Sequence, residues 1–243
     1  MAASRFAKIV KSELISQEAK ILTLEAAEGP LNFIGGQYVI INTNIPLPGG
    51  KIVKRAYSIL SSDQDSTKFQ IAVKKIGSGL GSNYMQETPI GAELPFSGPW
   101  GQFVINEEEN SKVLVLATDT GITAALGLIQ SQRFQTCSKD SRLLWLVESQ
   151  EYFLPPAFVQ NKVASAIRFD LKIIPSVNSS ERLNKAQNIL HSVFEEGPPR
   201  VLFLAGDGAL LYPFRDELMA RGLSEKQIKI ECFFNNPFKK VTT

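Results

Sequence analysis

The chain is poor in the residues that build metal centres. Of its 243 residues two are cysteine, Cys137 and Cys232, and one is histidine, His191. No Cys-x-x-Cys pair occurs, so the usual zinc frameworks and a resident iron–sulfur cluster are excluded. The cysteines lie far apart, and free thiols are expected rather than a disulfide between them. His191, alone of its kind in a helical stretch, is expected to be structural or solvated. Charge of one sign is not in excess either: 26 basic and 24 acidic residues leave a net charge of +2, too little to draw in nucleic acid or a membrane surface. No apolar run approaches the length of a membrane span, and the opening MAASRFAKIVKSE lacks the apolar core of a signal peptide. A cytoplasmic protein is expected.

What is present is a globular composition, 44% hydrophobic and 21% charged, in two stretches of different pattern. As far as Phe103 the chain reads as short strands (6–14, 20–25, 37–42, 54–60, 69–75) separated by Gly, Pro and Ser turns. That spacing suggests a small antiparallel barrel or sandwich, with one helix from about Gly81. After an acidic, polar hinge at 106–112 come continuous apolar runs at 113–117, 143–147, 169–174, 201–205 and 228–234. Helical segments at 122–134, 157–166, 180–195 and 209–221 separate them. Apolar runs without alternation, divided by helices, imply a parallel sheet buried on both faces. A domain boundary is placed near residue 107, giving units 1–106 and 107–243.

Arg55-Ala56-Tyr57-Ser58 sits on one of the first strands. A guanidinium suits a phosphate, a phenol can lie along a flat ring, and a hydroxyl can bond a ring nitrogen, the three needs of a flavin nucleotide. Gly77-Ser78-Gly79-Leu80-Gly81-Ser82 then leads from a strand into a helix. It is either a diphosphate cradle, to which Ser82 adds a hydroxyl, or an ordinary glycine-rich loop. Gly98-Pro99-Trp100-Gly101-Gln102-Phe103 reads as a tight turn before an apolar residue.

In the second half, Thr118-Asp119-Thr120-Gly121-Ile122-Thr123 follows the first parallel strand, where dinucleotides dock. Gly121 permits close approach, and Thr118 and Thr123 offer hydroxyls. Gly-x-Gly-x-x-Gly is absent. Asp119 repels a phosphate unless it caps the helix. Gly206-Asp207-Gly208 ends a later strand on the same sheet edge, either facing the same crevice or serving as a plain turn with Asp207 as cap. Near the C-terminus stands Glu231-Cys232-Phe233-Phe234.

In this order, Arg55-x-Tyr57-Ser58, Ala72-Val73-Lys74, Gly79-Leu80-Gly81-Ser82-Asn83-Tyr84 and Gly98-Pro99-x-Gly101-x-Phe103 resemble the FAD half of the ferredoxin–NADP reductase family. Thr118-x-Thr120-Gly121-Ile122, Ala205-Gly206 and Glu231-x-Phe233 resemble its nicotinamide half, and the likeness covers nearly the whole chain. The resemblance implies a six-stranded antiparallel β-barrel for FAD followed by an α/β domain with a five-stranded parallel sheet for NAD(P). It implies that Arg55 pairs the FAD diphosphate, with Ala56 among the binding residues, and that Tyr57 packs on the isoalloxazine. Ser58 then bonds near flavin N5, and Ala72, Val73 and Lys74 line the cofactor through backbone. Gly79, Leu80, Gly81 and Ser82 cradle the diphosphate. Thr118, Gly121, Ile122, Gly206 and Asp207 take the nicotinamide nucleotide, with Glu231 and Phe233 near the ring. Ser58, Tyr57 and Glu231 are the implied catalytic residues.

Three positions depart from that family's pattern. Asp119 and Thr123-Ala124 stand in the Thr-Gly-Thr-Gly-Ile-Ala-Pro turn, Ala205 replaces a cysteine, and Glu148-Ser149-Gln150 replaces Ser and Arg that would take a 2′-phosphate. Glu148 favours NADH over NADPH. The resemblance implies an FAD-dependent oxidoreductase passing electrons from NAD(P)H to ferredoxin, flavodoxin or another redox protein, working as a monomer or weak dimer. The alternatives are an FAD-binding electron-transfer subunit with weak or no nicotinamide activity, and a free-flavin reductase. Lys51, Lys54, Lys74 and Lys75 offer an acidic carrier a docking face, or form a solvated one.

Overall fold

The structure, a computed structural model, describes residues 5–106, 112–137 and 140–238. Six strands form the first sheet: β1 (Arg5–Ser16), β2 (Ala19–Ala26), β3 (Tyr38–Pro46), β4 (Ile52–Ser58), β5 (Lys68–Lys74) and β6 (Glu93–Trp100). Their order is β4-β3-β6-β1-β2-β5, and all pairings are antiparallel. A single bridge between Ile59 and Ile71 joins the two outer strands and closes the sheet into a barrel. Alternation along these strands fills the barrel, with Ile9, Leu22, Leu24, Ile41, Phe69 and Phe96 fully or nearly buried inside. The Phe69 and Phe96 rings meet at 5.7 Å. Helix α1 (Leu80–Glu87) covers the side where β4 and β5 diverge.

The second sheet is parallel, with β7 (Val113–Thr118), β8 (Arg142–Val147), β9 (Arg168–Ile173), β10 (Val201–Asp207) and β11 (Ile228–Phe234) in the order β11-β10-β7-β8-β9. Helices α2 (Ile122–Ile129), α3 (Gln132–Cys137), α4 (Pro156–Lys162), α5 (Arg182–Glu195) and α6 (Gly208–Ala220) connect them. From β7 the chain winds outward through β8 and β9, then returns to the other side of β7 as β10. The strand order therefore reverses between β7 and β10, and that reversal opens a crevice at their carboxyl ends.

Several sequence expectations change. The helix expected over 122–134 is two helices, because Ser131 Oγ donates to Leu128 O and accepts from Phe134 N, capping α3 and ending α2. The helix expected at 157–166 stops at Lys162. Gly98-Pro99, read as a turn, lies inside β6 with a cis peptide bond. The sheet is not buried on both faces throughout: β9 is half-exposed, because it is an edge strand with a neighbour on one side only. The expected boundary near residue 107 falls outside the described residues. Cys232 is a free thiol, while the Cys137 side chain lies outside the described ones. His191, expected to be structural or solvated, pairs its Nε2 with Glu217 Oε1 between α5 and α6. Among the described residues no helix is long and apolar enough to cross a membrane.

The two sheets share an apolar seam. Ala19, Ile21, Leu60, Ala72, Phe103 and Ile105 of the first half belong to the same buried cluster as Val115, Leu126, Phe134 and Trp145 of the second. At its centre α2 meets the barrel backbone to backbone. A Cβ on Gly127 would overlap the Ile59 carbonyl oxygen, one on Gly35 would overlap the Gly127 carbonyl oxygen, and one on Gly36 would overlap that of Phe103. Asp63 adds polar ties, accepting from Gly35 N at 3.1 Å and from Gln132 N at 2.9 Å. Gln130 Nε2 donates to Leu60 O at 2.6 Å. Gly127→Ala is expected to wedge this contact apart and cost about 1–3 kcal/mol, lowering Tm by about 5 °C in a thermal melt. An unchanged Tm would show that the contact does not hold the halves together.

Candidate active site

A cleft of about 290 Å³ lies where the barrel meets the carboxyl edge of the parallel sheet. From the barrel it takes Arg55, Ala56, Tyr57 and Ser58 of β4, Ala72 and Lys74 of β5, and Ile76, Gly79 and Ser82 around the start of α1. From the other half it takes Thr120, Thr123, Phe153 and Phe233.

β4 carries the basic and aromatic wall. Antiparallel pairing sets Tyr57 opposite Val39 and Ser58 opposite Tyr38. Tyr57 packs against the barrel core, and burial pushes its phenol up to about 12, the nearby Arg55 opposing the shift. The ring is therefore a neutral wall over the whole ordinary pH range. Ser58 is buried beside it. Arg55 is exposed and donates to Lys54 O, and its aliphatic stem lies over the start of α1. A Cβ on Gly81 would come within 2.6 Å of Arg55 Cγ, so only glycine lets the arginine lie there.

Gly79 precedes α1 with no side-chain cap on the first helical N–H groups. Ser82 holds the loop in shape, its Oγ donating to Gly79 O at 2.9 Å and accepting from Ile76 N at 3.3 Å. Its hydroxyl is thus engaged inside the loop. Leu80 points out to solvent and Val73 into the barrel core, so from Val73 only backbone can face the cleft. An uncapped helix start, an exposed guanidinium across from it and a glycine where a side chain would collide fit the diphosphate of FAD.

On the other side, tertiary packing absorbs most of the residues that motif reading singled out. Thr118 is fully buried, and its Oγ1 accepts from Asp207 N at 2.7 Å. Gly206, at φ +127°, presses on Thr118, and a Cβ on Gly121 would overlap Ala205 O. The close approach that Gly121 and Gly206 permit is therefore between β7 and β10. Ile122 is buried in the seam. Asp207, wholly buried, caps α6 through Ala209 N at 3.0 Å and accepts from Asn235 Nδ2 at 2.9 Å. Thr123 reaches the cleft, its hydroxyl donating to Thr120 O.

Sequence reading passed over Thr120 and Phe153 as cleft residues. Thr120 lies in the dinucleotide turn and was legible as a neighbour. Phe153 comes from the loop after β8, and no local pattern marks it.

Asp119 neither caps α2 nor stands free. It adopts φ +47°, Trp145 Nε1 donates to its carbonyl at 2.9 Å, and its carboxylate lies 3.0 Å from Arg182 Nη2. Burial nonetheless raises its carboxyl above the ordinary aspartate range, Arg182 opposing. Beside the cleft a smaller pocket of about 110 Å³ is lined by Asp119, Glu148, Glu151 and Glu18, and it shares Lys74, Thr120 and Phe153 with the cleft. Lys51, Lys54 and Lys75 are exposed, and of the four lysines only Lys74 lines the cleft.

Glu231 sits two residues before Phe233 on β11, opposite Ala205, and half-buried near Tyr38. Desolvation pushes its carboxyl up to about 7. Cys232 faces the other way, its Sγ 3.2 Å from Phe234 O and close to Gly208, so no thiol replaces the cysteine missing at Ala205.

The comparisons agree with this geometry. A family model described as the oxidoreductase FAD-binding domain matches residues 6–105. Ferredoxin–NADP reductase B of Sorangium cellulosum is 36% identical over 126 residues, 51% of this chain and 50% of that protein. NADH-cytochrome b5 reductase 1 of Cryptococcus neoformans var. neoformans is 27% identical over 172 residues, 69% of this chain and 57% of that protein. The chain thus spans only half to three-fifths of the length of these two curated relatives. The FAD/NAD-binding domain of nitric oxide dioxygenase from Vibrio cholerae has the same fold, with TM-score 0.74, 19% identity, and 94% and 98% of the two chains covered. Barrel, cleft and switch-point crevice define a two-part fold in which a barrel matching the oxidoreductase FAD-binding domain is joined to a parallel α/β sheet. The chain is similar to a ferredoxin–NADP reductase over about half its length, and its first half matches the FAD-binding domain of oxidoreductases.

The raised Glu231 carboxyl gives a pH test. The fold favours its neutral form, so the stability it lends is full below the ordinary glutamate range and is lost as pH rises to about 7. Glu231→Gln is therefore expected to gain on the native protein between pH 5 and pH 8, by about 2 kcal/mol in chemical denaturation. A constant difference across that range would mean that Glu231 ionises as an exposed carboxylate does.

Proposed function

We propose that this protein is an FAD-dependent reductase that draws electrons from NAD(P)H and passes them to a separate redox protein, ferredoxin or flavodoxin being the leading classes. The observation that carries the reading is one cleft walled by Arg55–Ser58 on one side and by Thr120, Thr123, Phe153 and Phe233 on the other. A flavin site and a nucleotide-sheet exit open into the same space. The names of the relatives, a ferredoxin–NADP reductase and a cytochrome b5 reductase, support the same assignment. We take 1–106 as the FAD unit and 107–243 as the nucleotide unit.

FAD, when bound, would supply the exchange between two-electron and one-electron chemistry. The chain's residues position and shield. Arg55 and the start of α1 hold the diphosphate, Tyr57 and Phe233 confine the ring system, and Ser58 offers a hydroxyl to its reacting edge. Glu231, two residues before Phe233 but outside the cleft lining, is a carboxyl that burial pushes up to about 7. No strong acid or base is required, because hydride transfer depends mainly on the alignment of two rings. Glu148 beside the crevice favours NADH over NADPH by opposing a 2′-phosphate.

The purified protein is expected to be yellow and to keep its FAD through gel filtration. Colour lost on the column would favour a free-flavin reductase. Arg55→Ala is expected to weaken FAD binding about tenfold or more, since a charge-assisted contact is lost. Ser58→Ala is expected to keep FAD but slow its bleaching by NADH in stopped flow by about tenfold or more. Unchanged rates would remove Ser58 from the reacting site.

A further inference from the structure

One guanidinium ties together four strand exits at the carboxyl edge of the parallel sheet. Arg182, in the first turn of α5, is buried. Its Nη2 lies 3.0 Å from Asp119 after β7 and 3.3 Å from Asp207 at the end of β10. Its Nη1 lies 3.9 Å from Glu148 after β8 and donates to Pro175 O after β9 at 3.0 Å. Three carboxylates thus face one cation. Asp207 is wholly buried and committed to the α6 cap and Asn235, so it belongs to the fold. Glu148 also accepts from Val177 N.

Asp119 is different. Arg182 already has two other carboxylates, so charge balance does not call for a third. Asp119 also occupies a left-handed backbone conformation that suits glycine or asparagine as well. It remains partly exposed, on the wall of the pocket that shares Lys74, Thr120 and Phe153 with the cleft. A surplus negative charge therefore stands fixed at the switch-point turn, where open α/β sheets receive the phosphates of a dinucleotide.

We infer that Asp119, locked in place by Arg182, is a specificity-determining residue that weakens the grip on the dinucleotide's diphosphate while leaving the hydride-donating ring untouched. The protein then holds its nicotinamide nucleotide loosely and releases the spent form readily, and every further phosphate on the donor is disfavoured. This rests on the reductase reading above, and it assigns to Asp119 an electrostatic role that the reading does not contain.

The test uses the full chain with FAD bound, comparing the native protein with Asp119→Asn and Asp119→Gly. Both variants leave Arg182 paired with Asp207 and Glu148, and both residues tolerate the backbone conformation. Calorimetric titration with 1,4,5,6-tetrahydro-NAD, which carries the diphosphate but cannot donate hydride, is expected to show binding tightened about three- to tenfold in both variants. The gain is expected to shrink in high salt. Bleaching by N-benzyl-1,4-dihydronicotinamide, which has the ring and no phosphate, is expected to keep the native rate. Unchanged or weaker binding of the analogue, or a gain that salt does not diminish, overturns the inference while the reductase reading stands. If neither the native protein nor either variant binds the analogue or is bleached by NADH or NADPH, the reductase reading itself fails.

Discussion

The backbone-to-backbone contact between α2 and the barrel is the constraint from which the rest of the site follows. Gly35 and Gly127 bring the helix so close that no side chain fits between it and the barrel, and Asp63 and Gln130 fasten the edges of the contact. Because α2 begins at the exit of β7, pinning it to the barrel also sets Thr120 and Thr123 opposite β4. The cleft is the space left when a closed barrel and an open sheet are joined at one seam and diverge above it. Such an interface is packed as densely as a core, so it resists sliding or hinging in a way that a polar domain contact does not.

Charge is arranged across this space with the same economy. The barrel side presents Arg55 and Lys74, while the strand exits opposite present Asp119 and Glu148 around a buried Arg182. In the proposed reading, positive charge lies on the side that would hold FAD and negative charge on the side that would receive a nicotinamide nucleotide. Nucleotide sites of this fold are often described through their attraction for phosphate. Here the neighbouring strand exits are held together by ion pairs around Arg182.

Much of the fold was legible in the residues. Short strands at spacings near ten residues between Gly, Pro and Ser turns marked the barrel, and in it Leu22, Leu24, Phe69 and Ile71 turn inward at every second position. The unbroken runs from Val113 and from Val201 marked central parallel strands, which are buried on both faces. Reading failed where a long-range partner decides. Ser131 broke a helix that looked continuous because its hydroxyl found Leu128 O and Phe134 N. β9 looked doubly buried although it stands at the sheet edge. In the site, Arg55, Tyr57 and Ser58 were found from three adjacent chemistries on one strand, whereas Phe153 carried no local mark. Thr118, Gly121 and Gly206 are the opposite case, since their motif is plain but their side-chain space serves the packing of β7 on β10.

The order of elements, the two sheet types and the β4 strand at the cleft were determined by the sequence itself, because local periodicity and side-chain chemistry act over a few residues. Only the tertiary structure decided which hydroxyls and glycines face a ligand and which face another strand. It alone brought Arg182, more than sixty positions downstream, beside Asp119. A side chain's burial and charge partners depend on contacts between distant segments, and those contacts exist only once the chain has closed on itself.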